Sequence, residues 1–153
     1  MTHRKTGRQG QTLQMLADFR HQLRLFYRFS EAAAQKLGLQ PQQHQLLLQI
    51  AGAPDGVSPT VRYAAERLGL RHNTVVELID RCEEAALLMR MRNGADRRCV
   101  LLEVTPGGRQ MLEALSVDHA RELSELAPRL IHALTAIEEV NRRSRKQATR
   151  RVG

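Results

Sequence analysis

The sequence predicts a mainly α-helical chain that carries one small β-hairpin, and three observations predict it. Aromatic residues are 3% of the 153 positions and Trp is absent. Any core is therefore built from Leu, Ala, Ile, Val and Met, a composition that leans towards helix. Apolar residues recur at steps of three and four over most of the length, which is the period of a helix face. Around residues 88–104 the period changes to two, across the pair Asn93-Gly94, a strong hairpin-turn signal.

The elements follow in order. Residues 1–11 are polar and expected to be disordered. Leu16, Phe19, Leu23, Phe26, Ser30, Ala33 and Leu37 then line one face of a long helix over 12–38 that Gly38 ends. A second helix starts near Pro41, a favoured first-turn residue, and carries Leu46, Leu47 and Ile50. Gly52 to Gly56 reads as a loop. A third helix has Ser58 or Thr60 as its cap and turns Val61, Ala64, Ala65 and Leu68 inward. After the tight turn Gly69-Leu70, a fourth helix runs over about 71–86. Val75, Leu78, Ile79 and Cys82 form its buried stripe, and His72, Asn73, Val76, Glu77 and Asp80 face the other way. Strands over 88–92 and 97–104 make the hairpin. Thr105-Pro106 opens a further helix with Leu112, Leu115, His119 and Leu126 on one stripe. Pro128 is expected to break it, and a last helix over about 129–145 aligns Leu130, Leu134 and Ile137. Residues 146–153 read as a basic tail.

The formal charge of +8 is unevenly placed. Arg4, Lys5 and Arg8 at one end, and Arg142, Arg143, Arg145, Lys146, Arg150 and Arg151 at the other, make up nine of the 24 basic residues with no acid among them. The span 11–141 is close to neutral, so whole-chain charge is a weak argument for nucleic acid. The hairpin supplies a better one. Residues 88–102 hold Arg90, Arg92, Arg97 and Arg98 against Asp96 alone. Two cysteines, Cys82 and Cys99, match no zinc spacing and no disulfide framework. No apolar run reaches membrane-span length and no signal peptide stands at the N-terminus. A cytoplasmic, membrane-free location is the expectation.

Helix, glycine turn, amphipathic helix and hairpin together make a winged helix-turn-helix. In that arrangement one stripe of the fourth helix grips the fold while its first turn enters a major groove. Asn73 suits a bidentate pair with adenine, His72 and Thr74 can donate to base or phosphate, and Val76 suits a thymine methyl. The hairpin arginines suit a minor groove, where narrow A·T tracts attract guanidinium.

The segment Leu70-Arg71-His72-Asn73-Thr74-Val75-Val76-Glu77-Leu78-Ile79-Asp80-Arg81 resembles the recognition helix of the multiple antibiotic resistance regulator (MarR) family. Asp96-Arg97-Arg98, followed by Leu101 to Thr105 and Gly108, resembles that family's wing. Leu39 to Leu47 resembles the start of its second helix. The resemblance covers about residues 12–141. It implies a winged helix-turn-helix with flanking dimerisation helices and a homodimer on double-stranded DNA of pseudo-palindromic sequence. It also implies a repressor relieved by a small-molecule effector, with Asp96 orienting Arg98 into the minor groove. An effector crevice lined by His21, Arg24, Arg28 and His44 follows from the same resemblance. Arg71 and Glu77 depart from the family pattern, which often has Ser as helix cap and Arg or a small residue at the later position. The long apolar stripes at 16–37 and 112–137 point to a dimer independently, since they exceed what a winged domain of roughly 60–70 residues can cover.

Blander readings stand beside these. Cys82 reads as a core residue. Cys99 lies on the wing, where Arg97 and Arg98 favour its thiolate. His119 reads as a packing residue, and with Glu122 it lacks further metal ligands. The rival function is a winged helix that binds protein and not DNA, kept open by Glu77 and Asp80. A small enzyme is the third reading and is placed last, since no Ser-His-Asp grouping, phosphate-binding glycine loop or metal cluster is visible, and no enzyme activity is expected. No cofactor is expected.

Overall fold

The computed structural model describes residues 8–92 and 100–150, with side chains described for 10–92 and 100–142. The elements are α1 (Arg8–Lys36), α2 (Pro41–Ala51), α3 (Val61–Leu68), α4 (His72–Glu84), β1 (Leu88–Arg92), β2 (Val100–Val104) and α5 (Pro106–Arg150). They form two units, one of residues 1–29 with 119–153 and the other of residues 30–118.

In the unit of residues 30–118, local chemistry sets the ends of each helix. Gly38 takes a φ of +77° just past α1, a conformation that glycine adopts without Cβ strain. Pro41 stands in the first turn of α2, and the Gln40 N–H donates to Gln43 Oε1 at 3.0 Å. Of the two candidate caps for α3, the structure uses Thr60, whose Oγ1 accepts from the Tyr63 N–H at 3.2 Å. Gly69, with φ +65°, turns the chain towards α4, and the Leu70 N–H closes the turn on the Ala65 carbonyl.

The core of this unit joins three layers. Leu46, Leu47 and Ile50 come from α2, Val75, Leu78, Ile79 and Cys82 from α4, and Leu88, Leu102 and Val104 from the hairpin, all buried. Each such large side chain contributes about 1.5–3 kcal/mol by leaving water. The strands pair antiparallel with Arg90 opposite Leu102. A short third arm is added that the sequence did not announce: Thr60 bridges Leu101, and the Leu102 N–H donates to the Pro59 carbonyl at 2.8 Å. The Asn93-Gly94 turn falls outside the described residues.

The hairpin is bound to the start of α5 by Thr105. Its Oγ1 donates to the Ala86 carbonyl at 2.7 Å and accepts from the Gly108 N–H at 3.1 Å. Gly108 is buried there, and a Cβ on it would sit 2.4 Å from the Leu87 carbonyl oxygen and 2.7 Å from Val104 Cγ1. The close approach of helix to strand thus requires glycine.

The other unit holds the first part of α1 and the distal part of α5. Two expectations are corrected there. α1 begins at Arg8, ahead of the expected start at 12, because a helix already nucleated by the apolar stripe extends into polar neighbours at little cost. α5 is one helix from Pro106 to Arg150 with Pro128 inside it, and not two helices broken at Pro128. The proline removes the N–H that Ser124's carbonyl would accept, at a cost of about 3 kcal/mol. Strong helix formers on both sides, such as Glu125, Leu126, Arg129 and Leu130, carry the helix through. Leu126 and Ala133 are buried, whereas Leu13, Leu16, Leu123, Ile131 and Leu134 are exposed. His119 meets the rings of Phe26 and Phe29 edge-on, with centroids 5.9 and 5.5 Å away, in keeping with a packing role.

Candidate nucleic-acid interface

α4 is built to show one face. Val75, Leu78, Ile79 and Cys82 are buried, so the helix is gripped along that stripe and cannot rotate. His72, Asn73 and Glu77 are then exposed, and Thr74 and Val76 are half-buried beside them. Arg71 precedes the first turn with an extended backbone and makes no side-chain cap. The N–H groups of that turn consequently lack the hydroxyl cap that α3 has, and they face solvent or a ligand. Arg81 is exposed further along and donates from Nε to the Glu77 carbonyl at 3.3 Å.

Burial holds Cys82 as a neutral thiol. Its pKa is pushed up to about 11, chiefly by desolvation and against the opposing charge of Arg81. The expectation of a core cysteine agrees with this burial.

The structure pairs Arg90 with two carboxylates of α4. Its Nη2 donates to Asp80 Oδ1 at 2.6 Å, and its Nη1 donates to Glu83 Oε2. Its backbone N–H donates to Glu83 Oε1 at 2.9 Å. Burial works against the charge, but the hydrogen bond to Asp80 and the charges of Glu83 and Asp80 outweigh it and raise the guanidinium's pKa. Sequence reasoning placed Arg90 among the groove residues and missed Glu83. No spacing rule links a helix carboxylate to an arginine on the following strand. Arg92, two residues on, is exposed. Asp96, Arg97, Arg98 and Cys99 fall outside the described residues.

Beside α4 opens the first turn of α2. Gln40, Pro41, Gln42 and Gln43 form a hollow of about 260 Å³ with Leu78 and Arg81. This places polar α2 residues at the edge of the same surface. The four residues expected to line an effector crevice are placed as follows. His21, Arg24 and Arg28 are exposed on α1 in the unit of residues 1–29 with 119–153, and His44 is buried in the other unit. Among the described residues no group of three or more His, Cys, Asp or Glu could hold a metal ion, and no helix is long and apolar enough to cross a membrane.

Comparison with known proteins fits this geometry. The sequence profile of the MarR family matches residues 37–98. No curated protein matches the chain in sequence. Among solved structures, a MarR family transcription regulator is similar at TM-score 0.70 and 19% identity over 94% of this chain and 94% of that one. A mutant of MepR from S. aureus, bound to an oligodeoxyribonucleotide, is similar at 0.58 and 21% identity over 88% and 92%. CouR from Rhodococcus jostii, bound to p-coumaroyl-CoA, is similar at 0.57 and 24% identity over 66% and 69%. At these identities the likeness to the structures is one of fold. The profile match spans α2 to the start of the hairpin, and the whole chain is similar in fold to winged helix-turn-helix structures of the MarR family.

Proposed function

We propose that the chain is a sequence-specific, DNA-binding transcriptional regulator without enzymatic activity. In this reading it acts in the cytoplasm as a homodimer on a pseudo-palindromic operator and represses until a small molecule binds. One observation carries the reading: the first turn of α4 is exposed and free of side-chain caps while its opposite stripe is buried. Such a helix end can enter a major groove without rearranging the core. Asn73 then reads adenine, His72 and Thr74 donate to base or phosphate, Val76 touches a thymine methyl, and Glu77 accepts from cytosine. Arg71, Arg81 and Arg92 meet phosphates, and Arg97 and Arg98, with Arg98 held by Asp96, enter the adjoining minor groove. The DNA-bound MepR structure and the ligand-bound CouR structure support operator binding and an effector for a chain of this fold.

The homodimer is supported by the exposed Leu13, Leu16, Leu123, Ile131 and Leu134 in the unit of residues 1–29 with 119–153. Leaving five such side chains in water is costly, and a two-fold contact covers them. Derepression needs only an effector that favours a spacing of the two recognition helices which misses successive grooves.

The experiment is selection of bound duplexes from a random pool. An inverted repeat with half-sites about one helical turn apart is the expected product. A pool that stays random, with binding that survives high salt, supports the rival protein-binding module instead. Glu77 alone now favours that rival, because Arg90 engages Asp80.

A further inference from the structure

Arg90 stands opposite Leu102 in the hairpin. The Leu102 N–H donates away from β1, to the Pro59 carbonyl at 2.8 Å. Residues that face each other in an antiparallel pair either exchange both N–H groups or turn both outward. Arg90 therefore turns its own N–H outward as well, to the edge of β1 that carries no further strand among the described residues. An open donor on a strand edge invites pairing with another chain and leaves the strand loosely held.

Glu83 fills that place. From the last turn of α4 its Oε1 accepts from the Arg90 N–H at 2.9 Å, and its Oε2 accepts from Nη1 of the same residue. One carboxylate thus holds residue 90 by main chain and side chain together. The two edges of this rung are closed by the two helices of the helix-turn-helix. The Pro59 carbonyl lies directly before Thr60, the cap of α3, and Glu83 belongs to α4. The grip also selects register. Met89 and Met91 flank Arg90, so a strand slipped by one residue brings a methionine to this place, with no guanidinium for Oε2.

We propose that Glu83 is a positioning residue for DNA binding: it takes the place of a third strand beside Arg90 and so holds Arg92, two residues on, in a fixed relation to the first turn of α4. Phosphate contact by Arg92 and base contact by Asn73 are then made together, and Glu83 itself needs no contact with a nucleotide. The inference rests on the DNA-binding reading above. Without the cap β1 takes other positions, and apparent affinity falls with the fraction of molecules in which Arg92 is in place.

Two readouts test this on the full chain. The first is deuterium exchange of the residue 90 amide, followed by NMR without DNA. Exchange is expected to be slow in the parent and in Glu83→Gln, whose amide oxygen still accepts, and about tenfold faster or more in Glu83→Ala, the scale of one hydrogen bond to a charged group. The second is affinity for a duplex selected from the random pool. Glu83→Ala should weaken it about tenfold, and Glu83→Gln should restore most of the loss. In a double-mutant cycle Glu83→Ala should add little to the loss that Arg92→Met causes alone, because a strand with nothing to place need not be held. Circular dichroism and urea unfolding of each variant confirm the same fold. An amide that exchanges as slowly in Glu83→Ala as in the parent overturns the cap. Losses that add in full make Glu83 a structural residue only and overturn the positioning role. A protected amide in a protein that selects no duplex sinks the DNA-binding reading, and the positioning role with it, while the cap stands. A selected duplex with additive losses sinks the positioning role alone.

Discussion

Arg90 Nη2 lies 2.6 Å from Asp80 Oδ1, so the first strand of the hairpin is tied by charge to the outward side of α4. The same guanidinium meets Glu83. Two carboxylates on α4, which would otherwise repel a phosphate backbone, are thereby engaged within the protein. The tie also sets where β1 leaves the helix, and with it the position of Arg92.

Arg90→Met should therefore act through position and not through a lost phosphate contact. Because the Arg90 side chain is about a third exposed, the loss of stability is held to about 1 kcal/mol. Operator affinity should fall while the slope of log affinity against log salt stays unchanged. Arg92→Met should lower that slope by about 1, the mark of one phosphate contact. A matching drop in slope for Arg90→Met would assign it to the DNA.

Neighbouring glycines in α5 should respond with opposite signs. At Gly107 a Cβ meets nothing closer than 3.8 Å, so Gly107→Ala should stabilise by about 0.5–1 kcal/mol, as alanine does in a helix. At Gly108 a Cβ runs into the Leu87 carbonyl and Val104, and Gly108→Ala should destabilise by about 1–3 kcal/mol. Urea midpoints of the two variants check this, and equal midpoints would refute the close helix–strand approach.

Ala86 holds a φ of +54°, the left-handed region that costs a residue with a Cβ roughly 1–2 kcal/mol. Ala86→Gly removes that strain and adds back unfolded-chain freedom. A net gain of about 0.5 kcal/mol in thermal or urea unfolding is expected, with the Thr105 hydrogen bond to its carbonyl retained.

Cys82 makes stability fall in alkali. Its thiol is kept neutral in the fold, with a pKa of about 11 against 9.0 ordinarily. Below pH 9 both folded and unfolded chains carry the proton and stability is unaffected. Between about pH 9 and pH 11 only the unfolded chain ionises, so it binds fewer protons and stability declines as pH rises. Cys82→Ala should lose less stability than the parent over that window, although it is less stable at pH 7 because of the cavity it leaves. Parallel declines would contradict the burial.

Asn73→Ala should relax base preference more than it lowers general affinity. Loss of one bidentate base contact is worth about 1–3 kcal/mol at the matched position. Equal losses on selected and random duplexes would remove Asn73 from the reading surface.

How much of this was legible follows the range of the forces involved. The buried stripe of α4, Val75, Leu78, Ile79 and Cys82, was readable because helical period is a local property of the chain. The wing strands were readable from alternation. Pro128 was misread because its local penalty is real, yet the cooperativity of a 45-residue helix exceeds it. The pairing of Arg90 with Asp80 and Glu83 and the third arm at Pro59–Thr60 join residues distant in sequence, and periodicity carries no information about such meetings.

By itself the order of residues determined which stretches become helix or strand, which face of each is apolar, and that the polar start of α4 is the side left over. Only the tertiary structure decided that Arg90 meets Asp80 and Glu83 and that Gly108 admits no side chain. Each of these depends on distances across the fold between groups whose separation along the chain says nothing of their separation in space.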